Sequence, residues 1–135
     1  MEIRWGLVPD MTGTQLLPEL VGRDVAKELT YTGRVIDGTE AARLGLATRT
    51  ETDPLDTALS LVREITGKNP HAVRHAKRLL ELAGRMGVAD GFAAEQTAIR
   101  DLIGSPNQVE AVRANLDSRT PAYRDPAPAS SRSTA

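Results

Sequence analysis

A chain of 135 residues can bury one core, and its 17 basic and 18 acidic residues leave a net charge of −1, so no overall charge recruits nucleic acid or an anionic membrane. It has no cysteine, which excludes disulfides and thiolate metal sites and fits a reducing, cytoplasmic setting. No apolar run approaches the ~20 residues of a membrane span and no charged-then-apolar leader is read; one Trp, two Tyr and one Phe leave the core to Leu, Val, Ile and Ala, a composition that suits closely packed helices.

Ile3, Trp5 and Leu7 alternate with Glu2, Arg4 and Gly6, the period of a half-buried extended segment. Pro9 and Asp10 break the run, and Thr12-Gly13-Thr14-Gln15 opens a helix with Leu16, Leu17, Leu20 and Val21 on its apolar side. Asp24 to Thr30 reads as a second short helix with Val25, Ala26 and Leu29 inward; Tyr31 to Ile36 reads as a turn at Gly33 with a short extended piece. Asp37-Gly38-Thr39-Glu40 has the spacing of a capping box. It starts a brief helix from Thr39 to Leu44 that Gly45 ends as a left-handed cap, and Leu46 to Thr50 reads as extended.

Asp53-Pro54, Asn69-Pro70 and Ser105-Pro106 each place a capping side chain before a proline at the first helical position. The spacing predicts helices from Pro54 to Thr66 (Leu55, Leu59, Val62 and Ile65 inward) and from Pro70 to Ala83 (Val73, Ala76, Leu79, Leu80 and Ala83 inward). A further helix from Val88 to Ile103 aligns Val88, Phe92, Ile99, Leu102 and Ile103, and the last runs from Pro106 to Asp117 with Val109, Val112 and Leu116 inward. No internal repeat is visible. Residues 121–135, with Pro126, Pro128 and a Ser-rich end, are expected to form a disordered tail. A mostly helical chain with one extended segment in front leaves that segment without strand partners.

A carboxylate just before an extended segment, followed by a turn onto a helix N-terminus, can serve acid/base chemistry, because the helix start offers free N–H groups to a water or an anion. On that ground alone Glu2 reads as a solvated surface charge. His71 and His75 stand four apart on a helix, which is zinc-compatible spacing. Arg74, Lys77 and Arg78 surround them with no third ligand in view, so a solvated basic face is expected and no metal.

The segment Glu2-Ile3-Arg4-Trp5-Gly6-Leu7-Val8-Pro9, then Gly13-Thr14-Gln15-Leu16 and Leu20-Val21-Gly22, resembles the opening of the C-terminal half of the crotonase (enoyl-CoA hydratase/isomerase) superfamily, whose common pattern reads P-E-I-x-x-G-x-x-P-G-x-G-G-T-Q-R-L. The resemblance continues through Leu29 to Asp37 and Glu40 to Ala47, returns at Asn69-Pro70-His71-Ala72-Val73, Ala76-Lys77 and Glu110-Ala111-Val112, and fades at Arg119 to Tyr123. It covers about nine tenths of the chain, in order and without large gaps.

The resemblance implies a mostly α fragment of the α/β crotonase (ββα spiral) fold: a short extended N-terminal segment followed by a helical C-terminal region. Residues 1–50 would close the crotonase core and carry its active-site segment, and residues 51–120 would form a helical trimerisation region. The family's sheets lie in the half that precedes this one. The implied substrates are acyl-CoA thioesters, with no cofactor beyond the coenzyme A they carry, no nucleic acid or membrane partner, and a homo-oligomer, a trimer or hexamer in the family.

In the hydratases it resembles, two glutamates flank the acyl chain. One activates water; the other, which Glu2 matches, exchanges a proton at the carbon next to the thioester, and neighbouring environments can hold one charged and one protonated. The partner glutamate and the backbone N–H pair that polarises the thioester oxygen belong to the preceding half. Ile3, Trp5 and Leu7 would dock on the sheet and hold Glu2 toward the acyl site, placing Trp5 beside the substrate. Asp10-Met11-Thr12 replaces the common Gly-x-Gly. The backbone N–H of Asp10 would help hold the attacking water, while its side chain could narrow the site, add a third carboxylate, or cap the helix that follows. Where the family has an aromatic and a lysine toward coenzyme A, Asn115 and Ser118 stand here, leaving Arg119 to supply the positive charge. A hydratase is the expected reaction; a double-bond isomerase, which can shuttle one proton on a single glutamate at this position, and a non-catalytic self-association module are the alternatives.

Overall fold

A computed structural model describes residues 2–125, which fall into two compact units divided between Thr57 and Ala58. The first opens on a 3-10 turn, Glu2–Trp5, and continues through helices α1 (Gly13–Val21), α2 (Arg23–Thr32), α3 (Gly38–Leu44) and the start of α4 (Pro54–Thr66). The extended segment expected over Glu2 to Leu7 does not form. Gly6 donates to the Ile3 carbonyl at 3.1 Å and Leu7 to the Glu2 carbonyl at 3.0 Å, so the backbone satisfies itself by curling. With no strand among the described residues to pair it, an extended stretch would leave those groups to water.

α1 and α2 pack against each other, with Ala26 of α2 buried between neighbours and the opening turn lying on α2. α2 runs two residues past its expected end and stops at Gly33, whose left-handed conformation (φ 58°) lets its N–H close on the Leu29 carbonyl at 3.0 Å. Arg34 then joins two helices. Its Nε donates to Glu28 at 2.8 Å, and its two terminal nitrogens donate to both oxygens of Glu40 at 3.1 and 2.9 Å. This fork geometry holds the Glu40 carboxyl below the usual carboxylate range. The capping box is half made in consequence: Asp37 accepts from the Glu40 N–H at 2.7 Å, but the Glu40 carboxylate turns to Arg34. Gly45 ends α3 at φ 91° and lies so near α1 that a Cβ there would be 2.8 Å from the Leu20 carbonyl oxygen. Leu46 to Thr48 bend and Arg49–Thr50 are irregular, where an extended piece was expected.

The second unit holds the rest of α4, then α5 (Pro70–Leu82), α6 (Val88–Leu102) and α7 (Pro106–Leu116). Each cap-proline signal does what its chemistry predicts. Asp53 accepts from the Asp56 N–H at 3.0 Å, Asn69 from His71 at 3.0 Å and Ser105 from Gln108 at 3.4 Å. α5 packs on α6. Residues 121–125, counted in the expected tail, are irregular but bonded to α7: Ala122 donates to Glu110 at 2.7 Å and Arg124 to Asn107 at 2.9 Å. The remainder of that expected tail, residues 126–135, lies outside the described residues.

The apolar stripes formed helices without becoming core. The buried hydrophobic residues among those described are Ala26, Ala98 and Ala114, while Leu55, Leu59, Val62 and Ile65 of α4 stay exposed along with Phe92 and Leu116. Helices of this kind draw most of their stability from a covered apolar face. These faces lack a cover within the described residues.

Candidate active site

Glu2 sits on the opening turn, and Gly33 sets where that turn rests. A Cβ on Gly33 would lie 3.0 Å from Ile3 Cγ2 and 3.5 Å from Arg4 Cγ, so the close seat of the turn on the end of α2 depends on the absence of a side chain there. Glu2 is exposed, and its carboxyl is held below the ordinary range first by its hydrogen bond with the chain's terminal ammonium and then by its own backbone N–H. A chain extended upstream has a peptide group in place of that ammonium and loses the first of these causes. Trp5, at the end of the same turn, is 80% exposed.

Asp10 is exposed and does not cap α1, which corrects one expectation for it. The cap position is Thr12, in a left-handed conformation (φ 62°, ψ 6°) with no side-chain capping bond; its hydroxyl donates to the Met11 carbonyl at 2.6 Å. The Thr12 carbonyl accepts from Gln15 at 2.9 Å and from Leu16 at 3.0 Å. The N–H groups of the helix's first positions, Gly13 and Thr14, have no carbonyl within the helix to meet and face outward from its positive end. Thr12 stands where the family pattern has glycine, and a β-branched residue in this conformation is strained.

The chain thus brings Glu2 and Trp5 together on one short turn and leads through Asp10 to a helix N-terminus. A cavity of about 600 Å³ lies nearby between α1 and α2, lined by Gly13, Gln15, Lys27, Thr30 and Tyr31 among others, and Glu2, Trp5 and Asp10 are not among its walls. Arg119 belongs to the second unit. Its guanidinium grips Glu110 with both terminal nitrogens at 2.6 and 3.0 Å, and its Nε lies 3.6 Å from Asp117. That pairing raises the Arg119 pKa and holds the Glu110 carboxyl at about 2. Its positive charge is therefore already paired within the chain.

His71 and His75 have different partners. His71 Nδ1 faces the Asn107 side chain at 3.1 Å, and His75 Nε2 is 4.0 Å from Asp101. Asn107 has a role that the sequence hides. It is 3% exposed and bonds both the N–H and the carbonyl of Arg124. A polar residue one position past Ser-Pro reads as an ordinary first-turn residue, and its partner lies seventeen residues away.

The enoyl-CoA hydratase/isomerase family model matches residues 1–126, so the chain belongs to that family, the crotonases. A probable mitochondrial enoyl-CoA hydratase 2 of Arabidopsis thaliana is 34% identical over 119 residues, which is 87% of this chain and 40% of the relative. The mitochondrial methylglutaconyl-CoA hydratase of Mus musculus is 30% identical over 130 residues, 92% of this chain and 41% of the relative. Among solved structures, the enoyl-CoA hydratase from Bacillus anthracis superposes with a TM-score of 0.85 at 33% identity, covering 90% of this chain and 48% of that one. A probable enoyl-CoA hydratase/isomerase from Mycobacterium abscessus gives 0.86 at 33% identity, with 93% and 52% covered. The chain spans about half the length of these relatives, and the fold is a helical fragment of theirs. No helix among the described residues is long and apolar enough to cross a membrane.

Proposed function

We propose that this chain is the C-terminal half of an enoyl-CoA hydratase, adding water across the double bond of a 2-enoyl-CoA, and that Glu2 exchanges the proton at the carbon next to the thioester. The observation that carries this is the family match over residues 1–126, joined to coverage of only about half of each relative. In the full site Trp5 would lie beside the acyl chain, and the Asp10 N–H would help hold the attacking water. Arg119 would reach the coenzyme A phosphates only by giving up part of its grip on Glu110. No cofactor enters beyond the coenzyme A on the substrate.

The second glutamate and the oxyanion donors must come from the half that this chain does not span. Loss of one oxyanion donor alone costs ~10²–10³ in rate, so the chain by itself is expected to be inactive. The apolar faces of α4 to α7 would then meet that half or other subunits, in a homo-oligomer. The proposed compartment is the cytoplasm; the Arabidopsis and mouse relatives carry mitochondrial names, and fractionation of the source cells decides between the two.

The test is hydration of a short 2-enoyl-CoA by this chain alone and by a chimera in which the corresponding N-terminal half of the Bacillus anthracis relative precedes it. Activity only in the chimera, lost on Glu2→Gln with thioester binding kept, is the expected result. Hydration by the chain alone well above background, or an unaffected Glu2→Gln chimera, contradicts it. A chimera that shifts the double bond of a 3-enoyl-CoA without adding water selects isomerase as the chemistry.

A further inference from the structure

The two ends of the Asn107 amide are assigned by backbone, not by choice. Its oxygen faces the Arg124 N–H at 2.9 Å, and its nitrogen faces the Arg124 carbonyl at 2.8 Å. An N–H can only donate and a carbonyl can only accept, so the amide cannot be flipped. The nitrogen's second hydrogen then points at His71 Nδ1, 3.1 Å away. The contact is a hydrogen bond only when that ring nitrogen offers a lone pair, that is, when the imidazole carries its proton on Nε2 alone. Protonation would place an N–H on Nδ1 against the Asn107 NH2 group, donor against donor, on a side chain 3% exposed.

We infer that His71, through Asn107, is a pH-sensitive latch holding the segment 123–125 against the start of α7, closed when the imidazole is neutral and released when it is protonated. The charged and titratable groups that line one cavity of about 370 Å³ with His71 and Asn107 are His75 on its own helix, Asp101 on α6, and Arg124 and Asp125 on the segment itself; Lys68 and Arg74 line a second cavity with Tyr123 and Asp125 of that segment. They include both signs, with His75 Nε2 held only 4.0 Å from Asp101. Net field alone therefore does not settle the state of the latch; the donor–acceptor match at Nδ1 does. A second clasp three residues along α7 is insensitive over the same range. Glu110 accepts from Ala122 and Arg119, and its carboxyl stays ionised down to a pH of about 2. Release is thus confined to the residues beyond Ala122. The inference stands independently of the acyl-CoA reading, since it uses no group assigned there except the Arg119 clasp as a fixed point.

The experiment is amide hydrogen exchange with NMR on the 135-residue chain between pH 8 and pH 5, corrected for intrinsic exchange, together with long-range ¹H–¹⁵N correlation of the His71 ring. Expected are an Nε2–H tautomer at pH 8 and a three- to tenfold loss of protection at Arg124 on protonation, about the worth of one net hydrogen bond. Ala122 should be unchanged, and His71→Leu should remove the pH dependence at Arg124. If that variant does not fold, the wild-type tautomer and exchange profile decide alone. An Nδ1–H tautomer, an Arg124 amide unprotected at pH 8 or equally protected at both pH values, or a loss shared with Ala122 and the α7 amides overturns the latch.

Discussion

Ile3 Cγ2 and the Cα of Gly33 meet so closely that a Cβ on Gly33 would stand 3.0 Å from that methyl. This contact fixes the turn bearing Glu2 to the end of α2. Gly33→Ala adds a left-handed alanine and this clash together, and should destabilise the first unit by about 1–2 kcal/mol in urea unfolding. Gly84→Ala is the control, since Gly84 has a similar φ of 76° with nothing within 4 Å of its Cβ position. Equal losses at both positions would show that the Ile3 contact contributes nothing.

Thr12 offers the opposite change. Its left-handed backbone carries a β-branched side chain that, among the described residues, bonds only the neighbouring Met11 carbonyl. Thr12→Gly should relieve about 1 kcal/mol of strain and raise the unfolding midpoint. An unchanged or lower midpoint would mean that the hydroxyl contact outweighs the strain.

The cap-proline helices were legible because their signals are local. Asp53, Asn69 and Ser105 find their donors within three residues, so the helix starts follow from chemistry that the sequence contains. The opening turn was not legible for the converse reason. Ile3, Trp5 and Leu7 fit a two-residue period by alternation, yet the segment's conformation is set by Gly33, almost thirty positions on, and by the lack, among the described residues, of a strand to pair with. The stripes on α4 and α6 were read correctly as apolar faces, but burial needs a partner surface, and periodicity says nothing of where that surface is. Glu2, Trp5 and Asp10 enter as candidates only through family resemblance, and their site roles stay proposals; Asn107 was not legible at all, because its role rests on a contact with Arg124 across an irregular return of the chain.

The Glu110–Arg119 clasp carries a pH signature. The Glu110 carboxyl lies at about 2 in the folded chain against an ordinary 4.5, first because of the Arg119 hydrogen bonds and then the Ala122 N–H. A depressed folded pKa gives stability that is complete above the unfolded value and lost as pH falls through the folded one. The stability difference between the native chain and Glu110→Gln should therefore be constant from neutrality down to roughly pH 5 and shrink toward pH 2. A difference that grows on acidification would contradict the pairing.

Exposed apolar residues on α4 predict association. Leu55 is 69% and Val62 52% exposed, with Leu59 and Ile65 beside them at helical spacing. A contiguous patch of this kind marks an interface or an aggregation surface. The isolated chain should scatter light as a multimer at tens of micromolar, and Leu59→Glu with Val62→Glu should reduce its mass. A clean monomer from the native chain would remove the basis for a subunit interface here.

Trp5 reports most directly on the claim that this chain is one half of a larger fold. It is the only tryptophan, it closes the turn that carries Glu2, and it is 80% exposed. Its emission in the isolated chain should be red-shifted and readily quenched by acrylamide. In the chimera with the N-terminal half of the Bacillus anthracis relative, the emission should move to the blue and resist the quencher as the turn docks. Blue, quencher-resistant emission from the isolated chain as a proven monomer, or no change in a folded chimera, would contradict the account.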